Sequence, residues 1–145
     1  MKRMVLLLAL AALAACGASA PQKAAVQQGT LYEQLGGRSG VERLIDAAMK
    51  NVHADARIKG LFANTDMREQ RKLLVEQLCT ASGGPCEYTG RGMEEAHSGL
   101  NLTDGDFDAF VSDIIAAMNQ IKLPTETQRP VLQIYWSMKP QVVGQ

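Results

Sequence analysis

The sequence predicts an all-α fold, and three observations support that prediction. Apolar residues recur at intervals of three and four in four separate stretches, which is the spacing of one face of an α-helix. Three of these stretches follow a Ser, Thr or Asp that has Glu or Asp three residues later, a pattern typical of a capped helix start. The sustained alternation of apolar and polar residues that indicates β-strands is not convincing in any part of the sequence.

The first two main helices are predicted to start at capping residues. Ser39, with Glu42 three residues later, is the predicted N-cap of a helix whose apolar face contains Val41, Leu44, Ile45, Ala48, Met49 and Val52. Asp66, with Glu69 three residues later, is the predicted N-cap of a second helix that extends to about Thr80. The apolar face of this second helix contains Met67, Leu74 and Leu78.

Two further helices are predicted in the last third of the chain. Thr103 and Asp106 form a predicted capping box before an amphipathic face made of Phe107, Phe110, Val111, Ile114, Met118 and Ile121. Pro124 ends the connection to a last helix, whose apolar residues are Val131, Leu132, Tyr135 and Met138. Pro130 is expected either to lie in the first turn of that helix or to kink it.

The N-terminal residues resemble a bacterial lipoprotein signal. Two basic residues precede an uncharged apolar run, residues 5–15, which is too short to span a bilayer comfortably. The run ends in Leu13-Ala14-Ala15-Cys16, which implies cleavage before Cys16 and lipidation of its thiol. An ordinary signal peptide that happens to contain a cysteine is the alternative.

This N-terminal pattern predicts three segments. They are a lipoprotein signal peptide (1–15), the lipidated cysteine with a flexible tether (16–30) and a folded domain (31–145). The expected location is the bacterial periplasm, with the protein anchored to a membrane through its lipid. Gly17 rather than an aspartate follows the cysteine, and this favours the outer membrane.

The charge pattern argues against nucleic acid as a partner. The chain has 15 Lys and Arg and 15 Asp and Glu, so its formal net charge is zero. It contains no run of basic residues that would bind a phosphate backbone.

Cys79 and Cys86 remain once Cys16 is assigned to the lipid. In an oxidising periplasm two such cysteines are expected to form a disulfide. A zinc site that includes His97 or His53 is the alternative, but the spacing is not Cys-x-x-Cys and candidate ligands are few.

An irregular stretch separates the second and third predicted helices. Four glycines, at positions 83, 84, 90 and 92, precede His97, so a long regular helix is not expected there. A histidine on a short element beside a Gly-rich loop is a plausible metal ligand, and a surface or capping histidine is the alternative. An irregular connection as long as the one between the second and third predicted helices, about residues 81–102, is usually functional.

Several short motifs follow one another in a specific order and spacing. These are Leu31-Tyr32-Glu33-Gln34-Leu35-Gly36-Gly37, Phe62 with Asp66-Met67, Gly83-Gly84-Pro85, Tyr88-Thr89-Gly90, Met93, and Ala96-His97-Ser98-Gly99-Leu100. Through their order and spacing, rather than through any single motif, the chain from residue 31 to about residue 143 resembles a group 1 truncated haemoglobin.

The resemblance implies a shortened globin, with a two-over-two helical sandwich around haem b. His97 occupies the position of the family's proximal iron ligand. Phe62 corresponds to the aromatic residue that packs against the haem face, and Met93 corresponds to an apolar residue of the proximal pocket. The glycine motifs correspond to the turns that lead out of the distal helix towards the histidine.

The chain departs from the family at two distal positions. The family often has a tyrosine on the first long helix, where this chain has Met49, and a glutamine on the distal helix, where it has Leu74. Gln70 remains, at the distal-helix position nearest the mouth of the pocket, and its amide is a candidate donor to bound oxygen. The alternative is that Gln70 faces solvent. We therefore expect faster oxygen release and faster autoxidation than in relatives that have the tyrosine.

The resemblance implies reversible binding of oxygen, nitric oxide or carbon monoxide, as in oxygen transport. One alternative is an enzyme that converts nitric oxide and oxygen to nitrate; it needs an electron donor, which is unknown, and the sequence shows no flavin or nicotinamide domain. A second alternative is an electron-transfer or redox-sensing haem protein. Met49 or another residue would then be the sixth iron ligand, since a thioether can ligate iron opposite histidine.

Overall fold

The structure, a computed structural model, describes residues 29–145. These residues form six α-helices, two short 3₁₀ helices and no strand, so the predicted all-α class is confirmed. The α-helices are α1 (Leu31–Gln34), α2 (Gly37–Ala54), α3 (Met67–Ala81), α4 (Met93–His97), α5 (Asp104–Gln120) and α6 (Thr125–Met138). The 3₁₀ helices are Lys59–Phe62 and Lys139–Gln141.

The predicted signal peptide, Cys16 and the tether up to residue 28 lie outside the described residues. Within residues 29–145, no helix combines the length and the apolar character needed to cross a membrane.

The prediction that Ser39 is the N-cap of the first long helix is wrong, because α2 begins earlier in the chain. Thr30 and Glu33 form a capping box that starts α1. Gly36 then takes a left-handed conformation, with φ of 92°, and serves as the N-cap of α2 without a side-chain hydrogen bond. Ser39 lies inside the first turn of α2, where its hydroxyl donates to the Gly36 carbonyl oxygen at 3.4 Å. A glycine that bends the chain at no steric cost therefore replaces the predicted side-chain cap.

The two other predicted helix starts are confirmed. The Asp66 carboxylate accepts the backbone N–H groups of Arg68 and Glu69, at 2.8 and 3.2 Å, and so caps α3. Thr103 and Asp106 form the reciprocal capping box of α5. Each of these caps satisfies backbone donors that the first helical turn leaves without partners.

The four long helices form two pairs, one above the other. α2 packs against α3 and against α5, and α5 packs against α6, which gives the predicted two-over-two arrangement. One continuous apolar core fills the space between them. Its most buried members include Val41, Leu44, Ile45, Val75, Leu78, Val111, Ile114, Met118 and Val131.

The last helix begins earlier than its proline suggests. α6 starts at Thr125, so Pro130 lies in its second turn rather than in its first. The adjacent aromatic residues of α6 point in different directions, as successive helix positions must. Tyr135 is 4% exposed and belongs to the core, whereas Trp136 is 44% exposed and contacts the ring of Phe107.

A disulfide closes the turn after α3. The sulfur atoms of Cys79 and Cys86 are bonded, with their Cα atoms 5.8 Å apart. Gly84 lies inside the closed turn, where a Cβ atom would be 2.5 Å from the Tyr32 ring and 2.7 Å from the Cys79 sulfur. The disulfide therefore fastens the start of the irregular segment, residues 82–92, to the C-terminal end of α3.

Replacing both cysteines, as Cys79→Ala with Cys86→Ala, is expected to lower the free energy of unfolding by about 2.5 kcal/mol. This is the chain-entropy value for a closed loop of about eight residues. Urea denaturation monitored by circular dichroism measures the change. A reductant should produce a similar loss in the wild type and none in the double variant; equal stability of variant and wild type would contradict the prediction.

Candidate functional site

A cavity with a volume of about 400 Å³ lies next to α4. α3, α5, α6 and the 3₁₀ helix Lys59–Phe62 supply its other walls. Most of the lining is apolar, and includes Ile58, Leu61, Phe62, Leu73, Leu74, Met93, Leu100, Leu102, Phe107, Phe110, Met138 and Val142. This is the size and character of a pocket for a small organic ligand or cofactor.

His97 lies in the wall of this cavity, at the last residue of α4. Its Nδ1 atom is 2.6 Å from the backbone carbonyl oxygen of Met93. Because a carbonyl oxygen only accepts, this contact fixes the proton on Nδ1 and leaves the lone pair of Nε2 free. A backbone carbonyl that orients a histidine in this way is typical of a metal-ligating imidazole.

The structure brings five of the six predicted cofactor-binding residues to the same cavity. They are His97, Phe62, Met93, Gln70 and Leu74. Met49 is not among the lining residues. It is buried in the wall of a second cavity of about 10 Å³, between α2, α3 and α5, which shares Gln70, Leu74 and Phe110 with the large one. Met49 therefore lies behind the distal wall, and this position does not favour it as an iron ligand.

Gln70 turns its side chain inward. It lines both cavities, and its Oε1 atom is buried without a hydrogen-bond partner among the described residues. If the amide is flipped, the nitrogen takes that place, so one polar atom stays without a partner in either orientation. Of the two alternatives for Gln70, the structure has the one that faces the pocket.

The charged side chains in the cavity lining are three acids, and each has a structural partner. Asp66 caps α3, and Asp106 accepts both the backbone N–H and the hydroxyl of Thr103, at 2.9 and 2.6 Å. These hydrogen bonds lower the pKa of Asp106. Glu69 pairs with Lys72 at 3.2 Å. The acids near the cavity are thus already used by helix starts and an ion pair.

Tyr135 is a cavity residue that the sequence reasoning did not assign to the site. Its hydroxyl is buried and has no partner among the described residues, and its ring contacts Phe110 edge-on at 5.8 Å between centroids. Burial raises the pKa of Tyr135 well above its usual value, so the hydroxyl stays neutral. Helical spacing predicted that Tyr135 faces the core, but it carries no signal for an unpaired hydroxyl.

His53, the other histidine of the chain, lies outside the cavity lining. It is in the last turn of α2, and its ring packs edge-on against Phe62 with 5.7 Å between ring centroids. Its Nε2 atom is buried without a partner among residues 29–145. His53 therefore supports Phe62 from behind instead of facing the large cavity.

Comparisons with known proteins agree with this architecture. A model of the bacterial-like globin family matches residues 30–143. The group 1 truncated hemoglobin of Nostoc sp. (strain MUN 8820) is 34% identical over 115 residues, which are 79% of this chain and 98% of the relative. That of Tetrahymena pyriformis is 39% identical over 92 residues, 63% of this chain and 76% of the relative.

A solved structure shows the same likeness in three dimensions. The crystal structure of the truncated hemoglobin from Tetrahymena pyriformis in the Fe(III) form superposes with a TM-score of 0.78 at 32% sequence identity. The superposition covers 81% of this chain and all of that chain. The predicted two-over-two globin fold is therefore confirmed.

The residues of the cavity fit the haem that this likeness implies. The lining is mostly apolar, as a porphyrin requires, and a single oriented imidazole is enough to hold its iron. Gln70 and Tyr135 leave unpaired polar atoms in the cavity wall that a bound group can use. The family match, the relatives and the fold lead to one conclusion: this chain belongs to the bacterial-like globin family and is a haem-binding truncated globin.

Proposed function

We propose that this globin binds a diatomic gas, most simply oxygen, reversibly at a haem iron held by His97. The proposal depends mainly on Gln70, whose amide has one buried polar atom without a partner in the same cavity as an oriented histidine. An unpaired buried polar atom costs free energy. With the amide flipped so that its nitrogen takes that place, its N–H donates to a small ligand that accepts a hydrogen bond.

Each of these residues has a separate role in the cavity. A bound haem would supply a redox-active iron. His97 would hold that iron through Nε2, with the Met93 carbonyl oxygen keeping the imidazole in place. Phe62 and Leu74 would exclude water from the pocket, and the Gln70 amide would offer an N–H donor to a ligand in it.

The test of this proposal is the absorption spectrum of the holoprotein with and without carbon monoxide. We expect a five-coordinate ferrous spectrum that shifts fully on adding the gas. His97→Gly should lose the five-coordinate ferrous spectrum of the histidine-ligated haem, and added imidazole should restore it. His53→Gly is the matched control, because His53 does not line the cavity, and should retain the wild-type spectrum.

Two other outcomes would contradict the proposal. A six-coordinate low-spin ferrous spectrum that resists carbon monoxide would favour the electron-transfer or sensing alternative. A His97→Gly variant with an unchanged spectrum would show that another residue ligates the iron. The nitric oxide dioxygenase alternative is supported instead if the protein turns over nitric oxide and oxygen to nitrate with a supplied reductant.

Replacement of Met49 by tyrosine is expected to slow oxygen release about ten- to a hundredfold. Met49 adjoins Gln70 and Leu74 across the small cavity, and the resemblance to the family implies that a tyrosine at this position points its hydroxyl at bound oxygen. A further donor to bound oxygen is worth roughly 1–3 kcal/mol, which corresponds to that range. Stopped-flow measurement of oxygen dissociation tests this, with Met49→Phe as the control that adds the ring without the hydroxyl. Equal rates in the two variants would contradict the prediction.

We further propose that the domain is exported and anchored to a bacterial membrane, in the outer membrane facing the periplasm, through lipid on Cys16. The Leu13-Ala14-Ala15-Cys16 sequence after a short apolar run supports this proposal. The Cys79–Cys86 disulfide supports it independently, because disulfides persist in oxidising compartments.

In a bacterial host the full chain is expected to incorporate a radiolabelled fatty acid and to fractionate with the outer membrane. Cys16→Ala should abolish both, because it removes the acylated thiol, while Cys79→Ala with Cys86→Ala should leave labelling unchanged. An unlabelled wild-type chain in the soluble periplasmic fraction would favour the ordinary signal peptide. Labelled protein in the inner membrane would contradict the outer-membrane assignment alone.

A further inference from the structure

The helix that carries His97 has little structural support of its own. α4 has five residues, none of them fully buried, and its N-cap Gly92 makes no side-chain hydrogen bond. A single isolated turn of helix is not stable without contacts to the rest of the fold. α4 packs against the 3₁₀ helix Lys139–Gln141 on one side. Its other support comes from the Gln77 amide of α3, which contacts Met93, and from the preceding irregular segment, residues 82–92.

Glu76 on α3 fastens this segment close to α4. Its Oε2 atom accepts two hydrogen bonds from Thr89, one from the backbone N–H at 3.0 Å and one from the hydroxyl at 2.7 Å. These bonds hold the pKa of Glu76 below its usual range, so the acceptor is ionised and both bonds are charge-assisted. Thr89 is four residues before Met93, whose carbonyl oxygen orients His97.

The same helix carries the distal residues. Gln70 and Leu74 of α3 line the cavity, and Glu76 follows them within two turns. Glu76 itself is not among the lining residues, so its influence on the haem is exerted through Thr89. The Glu76–Thr89 contact therefore joins the distal wall of the cavity to the segment that leads to the iron ligand.

Among the ties between α3 and the irregular segment, the Glu76–Thr89 contact is the one nearest to α4 in the chain. The Cys79–Cys86 disulfide and the hydrogen bond from the Thr80 hydroxyl to the Cys86 carbonyl oxygen, at 3.0 Å, hold only the beginning of the segment. The Gln77 amide contacts the Met93 sulfur at 2.9 Å, but Gln77 and Met93 both line the cavity, so a change at either would also alter the pocket itself.

We propose that Glu76, acting through Thr89, is a positioning residue that sets how His97 is presented to the haem iron. Loss of the carboxylate frees residues 89–92, and α4 with them, to shift relative to α3. The iron–histidine bond then samples several geometries instead of one. This inference rests on His97 ligating the iron.

The test is the iron–histidine stretching band of the full-chain ferrous holoprotein, measured by resonance Raman spectroscopy. Glu76→Ala is expected to shift and broaden the band, and to speed haem transfer to excess apomyoglobin about tenfold, because two hydrogen bonds to a solvent-accessible carboxylate are lost. Glu76→Gln keeps an acceptor oxygen and should recover most of the wild-type band. Thr89→Val keeps the backbone bond and should give an intermediate effect.

Two further measurements separate positioning from general stability. Thr80→Val removes a hydrogen bond of the same segment far from α4, and it should lower the thermal midpoint without moving the band. Combining Glu76→Ala with Thr89→Val should give no more change than Glu76→Ala alone, because both remove one interaction. If Glu76→Ala does not fold, Thr89→Val against Thr80→Val gives the same comparison.

The proposal is overturned if Glu76→Ala and Thr89→Val keep the wild-type band and haem-transfer rate, or if Thr80→Val changes the band equally. Failure of the His97 assignment has a different signature. In that case the wild type itself has no iron–histidine band, whereas failure of the Glu76 proposal leaves that band present and unshifted.

Discussion

The structure depends on one constraint: the imidazole of His97 must be held in place by α4, a helix of five residues without a buried side chain. The long helices are secured by caps and by a common apolar core. The segment between α3 and α4 has no such core, and side-chain bonds to α3 replace it. Glycine is needed where that segment passes closest to the rest of the fold, since a Cβ at Gly84 would collide with Tyr32 and Cys79.

The sequence predicts those parts of the fold that depend on residues close together in the chain. Asp66 and Thr103 were recognised as caps because their side chains bond to backbone groups three or fewer residues away. Ser39 has the same local pattern, yet it is not a cap, because the left-handed Gly36, three residues earlier in the chain, is already the N-cap of the helix. The sequence pattern of an N-cap shows that a side chain can cap the first turn of a helix. Whether the helix starts there depends on the turn that precedes it.

The candidate site was predictable only in part, for a similar reason. Phe62, Gln70, Leu74, Met93 and His97 were assigned from a resemblance, and they lie around one cavity. Met49 was assigned in the same way, but it lies in the second cavity. The orientation of a buried side chain depends on packing between α2, α3 and α5, which no single helix encodes. The unpaired hydroxyl of Tyr135 and the Glu76–Thr89 contact also join residues of different elements, so helical periodicity cannot reveal them.

The distribution of polar atoms explains how such a cavity can discriminate between ligands. Asp66, Glu69 and Asp106 are committed to caps or to Lys72, so their carboxylates have partners before any ligand enters. Gln70 and Tyr135 are then the described lining residues with buried polar atoms that lack partners, and both are neutral groups. A neutral donor in an apolar cavity stabilises a ligand in proportion to the charge that the ligand carries when bound. On the proposed function, the Gln70 amide would therefore favour oxygen over carbon monoxide, because oxygen is the ligand that gains more negative charge, and methionine rather than tyrosine at position 49 would limit that preference.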